Sequence, residues 1–266
     1  MGKIISIWSV TGKTGKTVFL YMLINSMVKL LNNEVRILVC CSNLNYGNLL
    51  NLFEISDSEL NIEDLVNLKI SPVNKFDLLK TLGKKNNLYF LGSKKTNMNY
   101  VGRNIKEYEN LIEDLRNSFD LVLVDTISGH ENILTNMILD KSDHVINVIN
   151  QDKDILDSND FATDKDLVYV VNKYRDIYPE PGDIKSIYKL KDIYEVPDSG
   201  ELMEMKNKSK LAYYPEYQTE YNRAVDRIAK FIINKAGLGD IASENPSGRN
   251  IAAGLLKLLM RRKKNG

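Results

Sequence analysis

Thr11-Gly12-Lys13-Thr14-Gly15-Lys16-Thr17 lies between an apolar run, Ile4-Ile5-Ser6-Ile7-Trp8, and an apolar helical pattern. A glycine-containing turn in that place leaves successive backbone N–H groups free to face an anion, and the helix that follows aims its positive end at the same point. The phosphates of a nucleotide are the ligand this chemistry fits. The cradle is expected to run through Gly12, Lys13, Thr14, Gly15, Lys16, Thr17 and Val18. Lys16 would place a point charge on the β- and γ-phosphates, and the Thr17 hydroxyl would complete a Mg²⁺ shell. The usual spacing G-x-x-x-x-G-K-[ST] is met only in part, because Val10 stands where its first glycine belongs.

Such a loop needs an acid at the end of a neighbouring buried strand. Leu121-Val122-Leu123-Val124-Asp125 supplies one, and Asp125 is expected to hold magnesium opposite Thr17, directly or through a water. Thr126-Ile127-Ser128-Gly129 follows, a turn whose Gly129 N–H is placed to sense a terminal phosphate. His130 and His144 are too isolated to suggest a metal site, and no Ser/His/Asp or Cys/His arrangement presents itself.

The elements that must position these residues follow from periodicity. Strands are expected over residues 3–9, 35–41, 87–91, 120–124, 144–149, 167–171 and 193–196. Helices are expected over 17–31, 104–117, 130–139, 183–190 and 217–234. Several strands are nearly continuous Val/Ile/Leu runs, as in strands covered on both faces. The alternation predicts an α/β fold: a doubly wound, mostly parallel sheet with helices on both faces. Residues 151–166 carry six aspartates and read as a polar surface loop with room for a short helix. Residues 1–236 form the expected domain, 237–250 read as a flexible linker, and 251–266 as a basic amphipathic helix.

A chain of 266 residues with 43% apolar and 27% charged composition can bury a full core. Its net charge of +1 hides an asymmetry. Residues 245–266 hold six basic residues and no acid, so the remainder carries −5. A basic tail on a mildly acidic body suggests an anionic surface as partner. In the tail, Ile251, Leu255, Leu258 and Leu259 share one helical face, with Lys257 and Arg261 opposite. No signal peptide is evident, and no apolar run reaches the ~18–20 residues that span a bilayer. Adjacent Cys40 and Cys41 offer neither a disulfide framework nor metal-ligand spacing. A cytoplasmic location, with peripheral association to the inner face of the cell membrane, is the expectation.

The run from Phe119 to Gly129 resembles the "YDxhhhDTPPG" stretch of the MinD/ParA family of P-loop ATPases, whose phosphate loop is a deviant Walker A sequence. Ser142-Asp143-His144-Val145 is similar to the family's "ADxhhhV" strand, and Val170-Val171-Asn172-Lys173 to its "VhNKh" strand end. Ile193 to Asp198 resembles the "hhxhPxD" segment. The resemblance covers residues 2–234. It implies ATP and Mg²⁺ as ligands, Asn172 reading the adenine edge, Pro197 flanking the base, and a homodimer on ATP binding.

Two departures qualify it. The family's signature lysine, which crosses the dimer to the partner's nucleotide, aligns with Thr11, while Lys13 lies two residues on and is a candidate substitute. After the second strand the family carries Asp-x-Asp, where this chain has Cys41 and Asn43. Asn43 can hydrogen-bond a water but cannot take its proton, so slow ATP turnover is expected, with Lys16 and Asn43 as the catalytic candidates. The spacing from Cys41 to Leu50 is similar to that of the TadZ/CpaE branch, which localises pilus-assembly machinery. The tail resembles the membrane-targeting tail of MinD. A nucleoid-binding partition ATPase that contacts DNA without reading its sequence, and a scaffold that does not hydrolyse nucleotide, stay open as alternatives.

Overall fold

Strand β1 (Lys3–Trp8) lies inside a seven-stranded sheet, with β4 (Leu121–Asp125) on one side and β5 (His144–Ile149) on the other. The computed structural model describes residues 1–31, 34–42, 48–55, 61–67, 87–93, 97–158 and 166–238. Next to β4 come β2 (Ile37–Cys41) and then β3 (Leu88–Gly92); beyond β5 come β6 (Asp166–Tyr174) and β7 (Asp192–Pro197). The order is β3-β2-β4-β1-β5-β6-β7 and every pairing is parallel. All seven expected strands are present. The sheet is wholly rather than mostly parallel.

Side chains alternate across a strand, so each strand feeds two cores. Leu121 and Leu123 of β4 join one core, and Val122 and Val124 join the other. The first core is closed by helices α1 (Lys16–Leu30) and α10 (Glu220–Ala236). The second is closed by α3 (Ile62–Asn67), α4 (Met98–Arg103), α5 (Ile105–Ser118) and α6 (Ile133–Lys141). A smaller cluster beside β6 packs Leu156 of α7 (Lys153–Asp157) and Ile184 of α8 (Pro181–Ile187). Helices α2 (Asn48–Leu52) and α9 (Gly200–Asn207) add Leu49, Leu50 and Leu202 to the first core. Helices thus cover both faces, the doubly wound arrangement.

Caps set the helix boundaries that periodicity leaves loose. Asn132 accepts from the Thr135 N–H and delays α6 to Ile133. Glu180 and Asp183 form a capping box with Pro181 in the first turn, which starts α8 two residues early. Thr219 caps α10, and left-handed Gly237 ends it. The acidic segment after β5 does hold a short helix, α7, capped by Asp152.

At the amino edge of the sheet, Asp143 accepts from the Ile4 N–H at 2.8 Å and from Arg116 Nη1 at 2.6 Å. Lys3 Nζ lies 3.5 Å away. The Ser142 and Ser6 hydroxyls are 2.5 Å apart beside it. This explains the Ser142-Asp143 motif physically: it fastens the start of β1 to that of β5. Beyond Leu238, the expected linker and the basic helix lie outside the described residues.

Candidate functional site

The loop between β1 and α1 opens at the carboxyl edge of the sheet, where the chain's direction of winding reverses, the usual ligand crevice of this architecture. Two of its residues adopt left-handed backbone: Lys13 at φ 62° and Gly15 at φ 85°. Gly15 must be glycine. A Cβ there would stand 2.5 Å from Asn172 Nδ2 and 3.2 Å from Lys173 Cε. Those neighbours hold the loop from behind. Asn172 Nδ2 donates to the Thr14 carbonyl at 2.8 Å, Lys173 Nζ to the Lys13 carbonyl at 3.0 Å, and Ser9 Oγ to the Thr11 carbonyl at 2.8 Å. Three loop acceptors are thereby taken up by side chains. Helix α1 has no acid in its first turn and no side-chain cap, so its positive end is left for a ligand. Gly12 and Lys13 are exposed, while Thr14, Lys16 and Val18 are buried.

Lys16, Thr17 and Asp125 converge as expected from their places in the sequence. Lys16 is only 7% exposed; its Nζ donates to the Thr126 carbonyl and lies 3.4 Å from Ser128 Oγ. Thr17 Oγ1 donates to Asp125 Oδ2 at 3.0 Å. Asp125 is 5% exposed, and its Oδ1 has no hydrogen-bond partner. Burial pulls the Lys16 ammonium below its ordinary value, opposed by the charge of Asp125. Burial likewise pushes the Asp125 carboxyl up, opposed by Lys16 and the Thr17 hydroxyl. A buried carboxylate oxygen without a donor beside a threonine hydroxyl is a hard-oxygen pair suited to a divalent cation such as Mg²⁺. The lysine and the helix end suit the anion such a cation accompanies. The residues therefore fit a magnesium–nucleotide ligand.

The turn after β4 is fastened to the end of β1. Thr126 Oγ1 donates to the Ile7 carbonyl at 2.8 Å, and the Ser128 and Ser9 hydroxyls are 2.8 Å apart. Gly129, at φ 83°, gives its N–H to the Ser9 carbonyl at 3.0 Å and accepts from Trp8 Nε1 at 3.2 Å. To meet a phosphate, that N–H must first leave Ser9. Trp8 is buried, and its ring packs against His130 with centroids 4.6 Å apart.

On the far side, Asn172 at the end of β6 is 3% exposed, with Nδ2 on the phosphate loop and Oδ1 without a partner. Pro197 closes β7, and the Asp198 N–H following it donates to the Tyr174 carbonyl at 2.8 Å. Arg175 grips Asp198 Oδ2 twice, from Nε at 2.9 Å and Nη2 at 2.6 Å. Cys41 is buried opposite Asp125 in the β2–β4 register, and Ser42 Oγ donates to the Asp125 carbonyl at 3.1 Å. Asn43 lies outside the described residues. Among the described residues no cluster of three or more His, Cys, Asp or Glu side chains could hold a metal. Sequence reasoning missed Ser9, Ser128 and Lys173 as parts of the site. Lys173, adjacent to Asn172, carried a usable signal; the two serines did not.

No protein-family model matches the sequence, and no curated protein matches it. Solved structures do match the fold. The septum site-determining protein MinD of Pyrococcus horikoshii, complexed with Mg-ADP, superposes with a TM-score of 0.71 at 18% identity, over 90% of this chain and 98% of that one. A ParA family ATPase from Chlorobium tepidum gives 0.69 at 12% identity, over 86% and 98%. A chain of the MinC:MinD cell division complex of Aquifex aeolicus gives 0.66 at 16% identity, over 92% and 99%. At such identities what is shared is architecture: the chain has the α/β fold of the MinD- and ParA-type P-loop ATPases.

Proposed function

We propose that this chain binds Mg-ATP between β1 and α1 and acts as a MinD/ParA-like spatial organiser with slow ATP turnover. The observation that carries the reading is the meeting of Lys16, Thr17 and Asp125, with Asp125 Oδ1 left without a donor. In this reading Lys16 leaves the Thr126 carbonyl to contact the β- and γ-phosphates, and Gly12 to Val18 surround them. Thr17 and Asp125 hold the magnesium, which when bound neutralises charge on the phosphates. Asn172 Oδ1 is an acceptor for the amino group of adenine, and Pro197 flanks the ring. Neighbours solved with Mg-ADP, and with AMPPNP in a Borrelia burgdorferi plasmid partition protein, support the choice of ligand.

The chain's role in the cell extends this reading. Residues 1–236 serve as the ATPase domain, 237–250 as a tether, and 251–266 as a helix for anionic membrane. Burying four large apolar side chains in the lipid interface is worth ~1.5–3 kcal/mol each at full burial, reduced by partial exposure and ordering. One tail would bind marginally and two would bind well, so ATP-driven dimerisation would control recruitment. A TadZ/CpaE-like pilus-assembly complex is the partner the sequence favours, and the MinC:MinD assembly is a precedent for docking of a second protein.

Calorimetric titration of wild type and Lys16→Ala with Mg-ATP tests the site: binding by wild type alone is expected, and equal behaviour of the two overturns it. Leu255→Glu with Leu259→Glu is expected to abolish co-sedimentation with anionic vesicles. Persistent co-sedimentation removes the membrane role, and DNA binding mostly retained by the double variant is what contact through the basic residues predicts, the partition reading.

A further inference from the structure

Gln151, two residues beyond the end of β5, reaches across to the segment that follows β6. Its Nε2 lies 3.0, 2.9 and 3.0 Å from the carbonyls of Arg175, Ile177 and Pro179, and its Oε1 accepts from the Arg175 N–H at 2.8 Å. A primary amide has two N–H groups, so three acceptors share them. The orientation of the amide is fixed, because one end faces only carbonyls and the other an N–H. One side chain thus engages four main-chain groups of a single surface turn.

That turn begins three residues after Asn172, whose Nδ2 holds the Thr14 carbonyl of the loop and whose Oδ1 is buried without a partner; in the nucleotide reading that oxygen is the one that meets the base. With the backbone of Arg175 fixed, its guanidinium spans to Asp198 beyond Pro197, and the Asp198 N–H returns to Tyr174. The ends of β6 and β7 are joined into one wall, and Gln151 sets the position of its first half.

We propose that Gln151 is a positioning residue for the base: it preorganises the wall formed by the ends of β6 and β7 without touching the phosphate loop. This rests on the nucleotide reading of the site. Preorganisation adds affinity by removing the ordering cost from the binding step, so its loss weakens ligands that carry a base and spares those that do not.

The test compares Mg-ATP with magnesium tripolyphosphate, which has the charges and no base, by calorimetry on the full chain. For Gln151→Ala, ATP is expected to bind about tenfold more weakly and tripolyphosphate unchanged. Gln151→Glu keeps the length and turns donors into acceptors facing three carbonyls, so its loss should be at least as large. Both probes are read on one sample, so a partly inactive preparation does not alter their ratio. ATP affinity equal to wild type in both variants overturns the proposal, as does an equal loss for both probes. Wild type that binds neither probe overturns the nucleotide reading itself; wild type that binds both, with an unchanged ratio in the variants, overturns only the role of Gln151.

Discussion

Thr17 and Asp125, 108 residues apart in the chain, meet through a 3.0 Å hydrogen bond in which the threonine hydroxyl donates to the carboxylate. The bond exists because β4 lies directly beside β1, so the acid ending one strand stands over the helix that follows the other. Thr17→Ala is expected to weaken ATP binding about tenfold with magnesium present and to leave binding in EDTA unchanged. Thr17→Ser should restore the magnesium dependence. Titration with a fluorescent ATP analogue, with and without the metal, decides it.

Gly15→Ala confronts a steric limit. Left-handed backbone costs a non-glycine residue roughly 1–2 kcal/mol, and the new Cβ would meet the Asn172 amide at 2.5 Å. The thermal midpoint should fall by on the order of 5 °C for a chain of this size. Because the displaced amide also releases the Thr14 carbonyl, ATP binding should be lost even well below the new midpoint.

Trp8 is the chain's sole tryptophan, and its indole N–H rests on the Gly129 carbonyl. When Lys16 leaves Thr126, the turn that carries Gly129 is released from one of its ties. Mg-ATP should therefore change intrinsic fluorescence in wild type and not in Lys16→Ala. A flat trace from protein shown by calorimetry to bind ATP would refute the coupling.

In the proposed ATP site, Asn43 would offer an amide where a carboxylate would accept a proton from water. Asn43→Asp is expected to raise steady-state ATP turnover by about 10²-fold, the usual span of a general base. Phosphate release measured on both proteins checks this; equal rates would place the rate-limiting step elsewhere.

Asp143 titrates below the ordinary carboxylate range. Partial burial pushes it up, but the Ile4 N–H and the charges of Arg116 and Lys3 outweigh that. A carboxyl depressed by folding contributes stability above its unfolded value of about 4, and the contribution is lost as pH falls through the lower folded value. Asp143→Asn should cost on the order of 1 kcal/mol at neutral pH. The gap from wild type in urea midpoint should close between about pH 4 and the acid limit.

The strands were legible because their apolar runs are nearly continuous, and Asp125 stood out as the polar end of one. The places of Lys16 and Thr17 were legible because the signal is local: turn, lysine and hydroxyl lie within a few residues. Gln151 was not. Its bonds go to main-chain atoms 24 to 28 residues away, and a carbonyl is the same on every residue, so no residue type records the contact. Lys173 had a signal in its place beside Asn172, but its acceptor, the Lys13 carbonyl, was hidden for the same reason. The helix Gly200–Asn207 escaped because eight residues with one buried side chain, Leu202, carry almost no periodic signal.

The placement of β1 between β4 and β5 bears on how the protein is made. On a translating ribosome the first strand emerges well before either flanking strand, since Ile5 pairs with Leu123 and with His144. Until then Ile4, Ile5 and Ile7 have no sheet to enter, and the loop between β1 and α1 has no wall behind it. Assembly is therefore governed by long-range closure and should be slow beside a helical protein of equal length. Nascent chains arrested before residue 149 should be the ones that chaperones hold.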